Sequence, residues 1–380
     1  MSKILVKIDI KKDAWNWWEA CNKISYGVDW KKRIPKALQN KIVEKSQKEA
    51  FVFLLPYLKK LYKKIKIEKK LDEVKKIFAE KEGRIFKRIE EMTGRKIYRK
   101  DFVIFLTTFP RAPYHYPAGW IWLPIVWKKE SWIRAFVHEL LHFQTYAYWQ
   151  KEVLKKLSKE EFENLKEALT VVLNEEFMDL DKGYLMHRDL RKELLKYWKK
   201  NKDFNKLIKY GIKIYPKYAD EIKYLMLGKY TSGCPKYLLD KVDKMPNNKI
   251  NRKYIEKVLR IISDEFNSKK YKLHRTHDFR ESRFISVAEI LKIRQASCGS
   301  MATVVAAVLR QMQIPVKLIH GNFSETKKSC RHAWNEVYIN GKFIPFDITR
   351  KNLKITKKHI RISEWADWAD LEIKYRYKKS

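Results

Sequence analysis

The chain has 380 residues, 45% hydrophobic and 34% charged, enough apolar material for two or three compact domains and too much for wholesale disorder. Four dispersed cysteines (Cys21, Cys234, Cys298 and Cys330) do not make a disulfide-stapled secreted scaffold, and 11 Gly with 11 Pro leave little room for flexible linkers. The net charge of +39 runs along the whole chain and reads as solvated helix faces, as in KKLYKKIKIEKK at 59–70. No paired zinc-finger ligands or aromatic RNA-binding signature accompany it, so nucleic acid is expected only as a non-specific partner.

In chain order, MSKILVKIDIKKDAW opens with a short strand (4–10) whose apolar run is broken by Lys and Asp, unlike a signal peptide. Apolar runs elsewhere are far short of a membrane span, so a cytoplasmic, reduced setting with no membrane is the expectation. Residues 51–98 predict basic amphipathic helices, with Phe53, Leu54, Tyr57, Leu58, Leu61 and Tyr62 at three- and four-residue steps. FVIFLTT (102–108) and AGWIWLPIV (118–126) predict two strands separated by a Pro-rich turn. Helices are predicted at 131–150 and 159–178, the second opened by a Ser158/Glu161 capping box, with more helices over 185–230. TSGCPKYLLDKVDKMPNNK (231–249) clusters Gly, Pro and Asn and marks a boundary before a helix at 252–267.

This divides the chain into a basic helical region (1–100), a second domain (101–230), a linker with a helix (231–275) and a C-terminal domain (276–380). The fold class expected is α+β, helix-rich at first and ending in an antiparallel sheet.

The C-terminal domain carries the sharper chemistry. Cys298 opens the apolar helix GSMATVVAAVLRQMQ, where unpaired N–H groups and the helix dipole favour thiolate over thiol. Three strands follow, IPVKLIHG, HAWNEVYI and KFIPFDIT, the last two joined by an Asn340-Gly341 turn. His332 begins one strand of that hairpin and Asp347 ends the other, so the two can meet, with His332 serving Cys298 and Asp347 orienting the imidazole. The stretch IRQASCGSMATVVAAVLRQMQIPVKLIHG with RHAWNEVYINGKFIPFDIT resembles the transglutaminase-like superfamily core over roughly 280–350. The resemblance implies a papain-like fold with Cys298 as nucleophile, His332 as base and Asp347 as orienting acid. It also implies acyl transfer through a thioester, to water or an amine, with no cofactor. Ala296-Ser297 stands where Gly-Asp or Gly-Ser is more usual. The Cys298 N–H is one expected oxyanion donor and Gln295 a weaker candidate. The bland reading is an inert Cys298 and a core His332, as in non-catalytic family members. A metal site of Cys330, His320 and His332 matches no closed zinc pattern.

The second signal is His138-Glu139-Leu140-Leu141-His142 within SWIRAFVHELLHFQTYAYW. Histidines four apart share a helix face and can bind one zinc ion, with Glu139 beside them as general base. The segment resembles zincin metallopeptidases, and Lys-Glu-Ala-Leu-Thr resembles the glutamate helix of gluzincins. That resemblance makes Glu167 the third ligand, with Glu175 and Glu176 as alternatives; Thr170, Val171 and Asn174 would share its face. Tyr114, His115 and Tyr116 precede the motif as possible transition-state donors.

The leading expectation is a two-centre hydrolase of peptide or amide substrates, with a cysteine centre and a Zn2+ centre. The rival is a basic scaffold or nucleic-acid-binding protein retaining a degenerate transglutaminase-like core. Oligomeric state is not legible.

Overall fold

The computed structural model describes residues 2–22, 30–177, 188–232, 236–243, 250–267, 272–273, 285–325 and 328–370. Cys234 and residues 233–235 and 244–249 of the predicted 231–249 boundary lie outside them. The chain divides into two compact units, the first ending at Ala219 and the second beginning at Asp220.

In the first unit the strand read at the N-terminus, β1 (Lys3–Ile8), pairs in parallel with β2 (Asp101–Thr107), from Lys3↔Asp101 to Ile8↔Leu106. Residues 1–100 and the segment after them therefore share one sheet. β3 (Tyr114–His115) and β4 (Trp120–Pro124) complete it in the order β1-β2-β4-β3, with β4 parallel to β2 and β3 antiparallel to β4. The helix Lys129–Val153 carries the two histidines. Its Phe136 makes edge contacts with Phe102 of β2 and with Phe78 and Phe86 of the helix Ile67–Thr93. Its buried Gln144 accepts from the Tyr98 N–H at 3.0 Å and donates to the Lys96 carbonyl at 3.1 Å. A core of rings plus one satisfied buried amide sets this helix's rotation and height against the sheet.

The next helix, Lys159–Leu169, opens on the Ser158/Glu161 capping box but does not run on to 178. It tightens into a 3-10 turn at Thr170–Val172 before a short helix, Leu173–Glu176. Side chains compete there for the helical carbonyl. The Thr170 hydroxyl donates to the Glu167 carbonyl at 2.7 Å, and Arg191, from the helix Arg188–Asn201, donates to the same oxygen at 3.0 Å.

The second unit is an antiparallel sheet with helices. After the helix Arg252–Asn267 come β5 (Lys272–Leu273), the helix Val287–Ile293 and β6 (Gln295–Ala296), which pairs in parallel with β5. The helix Cys298–Gln311 follows, with Val304 to Leu309 all buried. The main sheet has the order β10-β7-β8-β9: β7 is Val316–Glu325, β8 Lys328–Ile339, β9 Lys342–Phe346 and β10 His359–Trp365. β7 and β8 pair out to Glu325↔Lys328, so His332 lies inside its strand and not at its start. The polar run SETKKSC hides this extension from a reading of apolar pattern. Asn340 and Gly341 both have positive φ, 50° and 84°, as a two-residue turn of the twist-matched type requires.

Helix and sheet are locked together by a side chain. Buried Asn335 on β8 donates to the Ala302 carbonyl of the Cys298–Gln311 helix at 3.1 Å and to the Lys317 carbonyl at 3.4 Å. At Gly321 a Cβ would lie 2.3 Å from the Ile360 carbonyl and 2.5 Å from the Trp334 ring. A bare backbone here lets Trp334 lie across β7. Helix-rich first unit and antiparallel second sheet together make the chain α+β. No described helix is long and apolar enough to cross a membrane.

Candidate functional site

Cys298 is the first residue of its helix, directly after Ser297, whose side chain caps the helix by accepting from the Ser300 N–H at 3.2 Å. A first-turn backbone N–H has no partner within the helix, so the Cys298 N–H remains a candidate oxyanion donor. Gln295 lies on β6 with its side chain exposed. Cys298 itself is partly exposed, whereas Cys21 is buried and Cys330 exposed.

His332 and Asp347 come together as the hairpin predicts. His332 Nε2 lies 2.8 Å from Asp347 Oδ2, and the Cys298 thiol is a second hydrogen-bond partner of the imidazole. Both side chains are buried, Asp347 to 1% exposure. Burial works against the imidazolium. The bonds to Asp347 and Cys298, with the negative charge on each, outweigh it and raise His332 to about 10. Burial likewise works against the Asp347 carboxylate, but the hydrogen bond and charge of His332 and the bonds from Thr349 and His359 lower it to about 2. Over the neutral range this pair is therefore an imidazolium and a carboxylate.

Around Asp347 both oxygens are engaged. Oδ1 accepts from the Thr349 N–H at 2.9 Å and its hydroxyl at 2.7 Å. Oδ2 meets His332, a second imidazole at His359 Nε2 (3.1 Å) and Arg350 Nε at 3.8 Å. His359 is absent from the sequence reading. Its strand, HIRISEW, does alternate, but the apolar Ile360 and Ile362 are more than half exposed while the His359 side chain is fully covered. Apolar periodicity therefore assigns β10 the wrong inner face.

His320 takes no part in a metal cluster with His332 and Cys330. Cross-strand partners share a face, and His332 pairs with Gly321 and Cys330 with Phe323, which turns His320 to the other side of the sheet. Burial and then the charge of Arg331 lower His320 to about 4.

In the first unit one ligand atom each from His138, His142 and Glu167 lie within 4.8 Å of one another. Glu167 Oε2 is 3.3 Å from His138 Nε2 and 3.5 Å from His142 Nε2. Glu175 and Glu176 are engaged elsewhere, by Lys199 at 2.7 Å and by Lys202 and Trp198. Among the described residues buried His142 Nε2 has no hydrogen-bond partner, and Nδ1 of the same ring is 3.1 Å from Glu139 Oε2. Glu139 thus reaches the far nitrogen of the ring, away from Glu167.

Burial opposes charge throughout this cluster. For Glu167 the nearby His142, His138 and Lys166 prevail over that burial and hold the carboxyl well below its ordinary range. His142 is lowered by burial, whereas His138 is raised against burial by its bond to Glu167 and by the charges of Glu139 and Glu167. Lys166, 1% exposed, is the residue the sequence concealed. Its ammonium donates to the Tyr114 hydroxyl at 2.7 Å and lies 3.2 Å from Glu163, 3.4 Å from Glu167 and 3.4 Å from His142 Nδ1. Tyr114 and Tyr146 approach hydroxyl to hydroxyl at 3.3 Å, Tyr146 bonds Glu163, and Tyr116 stacks on Tyr146. His115 caps the short turn after it by accepting from the Ala118 N–H.

Residues 242–348 match the family model described as the Transglutaminase-like superfamily. Among solved structures, one described as "a Putative Cysteine Protease" from Cytophaga hutchinsonii is similar at 22% identity and a TM-score of 0.32. That match covers 40% of this chain and 48%, about half, of the other. No curated protein matches the chain. Cys298, His332 and Asp347 all fall inside the matched stretch, 242–348, and His359 lies beyond it.

Proposed function

We propose that the second unit is a cysteine acyl-transfer enzyme that hydrolyses peptide or amide bonds. The observation that carries this is His332 held between the Cys298 thiol and the Asp347 carboxylate, with the sulfur at a helix start. The sulfur attacks the substrate carbonyl, forming a C–S bond and an oxyanion that can face the Cys298 N–H. His332, as imidazolium, gives its proton to the departing nitrogen as the C–N bond breaks, leaving a thioester. Neutral His332 then takes a proton from water as its oxygen attacks that thioester, and the acid leaves as the C–S bond breaks. Asp347 holds the imidazole in the tautomer and orientation both steps need.

The test is 4-nitrophenyl acetate followed by acid quench and intact-mass analysis. A single acetyl adduct on Cys298, with a burst of nitrophenolate, is expected. An adduct spread over the cysteines, or unchanged in Cys298→Ala, sinks the reading and favours a scaffold with a degenerate core. Adding an alkyl amine separates hydrolysis from amide formation.

A second reading concerns the first unit. His142 Nε2, buried without a hydrogen-bond partner and facing His138 and Glu167, fits a zinc ligand set of two imidazoles and a carboxylate. Three carboxylates, Glu139, Glu163 and Glu167, surround one ammonium, Lys166, leaving a negative excess that a dication offsets. Bound there, zinc supplies Lewis acidity and lowers the pKa of a coordinated water. With a metal on Nε2 the ring proton would sit on Nδ1, where Glu139 Oε2, 3.1 Å away, can accept it. A general-base role, as in a metallopeptidase, requires Glu139 to leave that nitrogen, so we read it as the orienting partner of a zinc-holding site. Metal analysis of the purified chain should find one zinc, lost in His142→Ala. Substoichiometric zinc that His142→Ala leaves unchanged rejects the site.

A further inference from the structure

The carboxylate of Asp347 is shared by two imidazoles, and only one of them reaches the thiol. His359 Nδ1 lies 3.1 Å from the Thr356 backbone N–H, which can only donate, and 3.2 Å from the Thr356 hydroxyl. Nδ1 is therefore an acceptor, and the proton of the neutral ring sits on Nε2, where it points at Asp347 Oδ2 from 3.1 Å. The ring is fixed on both sides, by Phe323 at a 4.7 Å centroid distance and Trp334 at 5.5 Å. β10 places it by pairing His359 with Phe323 on β7.

We propose that His359 is a positioning residue of the cysteine site, donating from Nε2 to hold the Asp347 carboxylate in its place beside His332. This rests on the cysteine reading given above. The nearest alternative is a metal held by His332, Asp347 and His359, whose ligand atoms also lie within 4.8 Å of one another. A metal ligand needs a lone pair on His359 Nε2, which sends the ring proton to Nδ1 and against the Thr356 N–H. The donor arrangement therefore favours the hydrogen bond.

The groups facing Asp347 are His332 from β8, His359 from β10, and Thr349 and Arg350 from the turn after β9. Thr349 occupies Oδ1, so the two imidazole N–H groups divide Oδ2 between them. A second donor on that oxygen makes the carboxylate less basic, which leaves the shared proton on His332. His359 is thus expected to set how far into acid the pair stays charged.

The experiment uses the full chain and two amides of different length. In His359→Gln the amide NH2 can reach the Nε2 position and donate to Asp347. In His359→Asn the carbonyl can replace Nδ1 but no donor reaches Asp347. Carboxyl titration by NMR with 13C-labelled aspartate should show Asp347 moving up toward the ordinary aspartate range in His359→Asn and staying near wild type in His359→Gln. Alkylation of Cys298 by iodoacetamide at acid pH should slow about tenfold in the Asn variant only, the size of a lost hydrogen bond to a charged group. If both variants shift alike, or neither shifts, the proposal is overturned. His359→Phe, which keeps the ring packing, replaces the Asn variant if that one does not fold. Should wild-type Cys298 react no faster than Cys330, the cysteine reading fails, while the Asp347 titration still decides the role of His359.

Discussion

Asp347→Asn is expected to slow acylation of Cys298 by about 10⁴-fold, the scale on which a triad fails when its acid becomes an amide. The amide can still accept from His332 Nε2, but it carries no charge to stabilise an imidazolium. His332, held at about 10 against burial by Asp347 and Cys298, should then lose its proton much closer to its ordinary value of 6.5. In the wild type the alkaline limb of the rate profile should fall as pH passes about 10, and in the variant it should move well toward neutrality.

Stability carries the same signature. A raised His332 contributes fully below pH 6.5 and loses that contribution as pH rises toward about 10. A depressed Asp347 contributes above pH 3.8 and loses it as pH falls toward about 2. Both are in force between pH 3.8 and 6.5. Acylation bursts and thermal unfolding, each followed from pH 3 to 11, read the two limbs. An alkaline limb that Asp347→Asn leaves in place would mean that His332 does not depend on this carboxylate.

Glu167→Ala should have the largest effect in the first unit, a loss of about 3 kcal/mol of stability and, on the proposed zinc reading, the loss of bound zinc. Lys166 is 1% exposed, and a buried charge stripped of a partner costs several times what a surface pair is worth. Glu163 and Tyr114 remain to it, which keeps the loss below that of an isolated buried ammonium. The double variant Glu167→Ala, Lys166→Met separates the two effects. Removing the orphaned ammonium should recover most of the stability and none of the zinc. Chemical denaturation with metal analysis of the same samples checks both. Zinc retained in Glu167→Ala would show that the carboxylate is not a ligand.

The contrast between what could be read from the chain and what could not has a simple physical basis. Cys298, His332 and Asp347 were legible because a helix start and a two-residue hairpin turn are local devices, and together they dictate where three side chains go. The approach of Glu167 to His138 and His142 was legible from the likeness of Lys-Glu-Ala-Leu-Thr to the glutamate helix of gluzincins, across a short helix–turn–helix connection. Lys166 was not, because in a chain with 84 Lys and Arg a single buried lysine looks like all the solvated ones. Arg191, which grips the Glu167 carbonyl from another helix, was hidden for the same reason. The parallel pairing of β1 with β2 joins segments almost a hundred residues apart, and strand pattern alone specifies no partner at that range. His359 was missed because its strand exposes isoleucines and buries a histidine, reversing the cue on which periodicity depends.

The Asn340-Gly341 turn sets more than the path of the chain. With two residues in the loop, the register Ile339↔Lys342 through Asn335↔Phe346 is fixed, and with it the face on which the residue after Phe346 emerges. Side chains alternate along a strand, so one residue inserted in or deleted from this turn would send the carboxylate to the opposite side of the sheet, while every hydrophobic contact of β9 inverted with it. Length variation should therefore be nearly forbidden between His332 and Asp347.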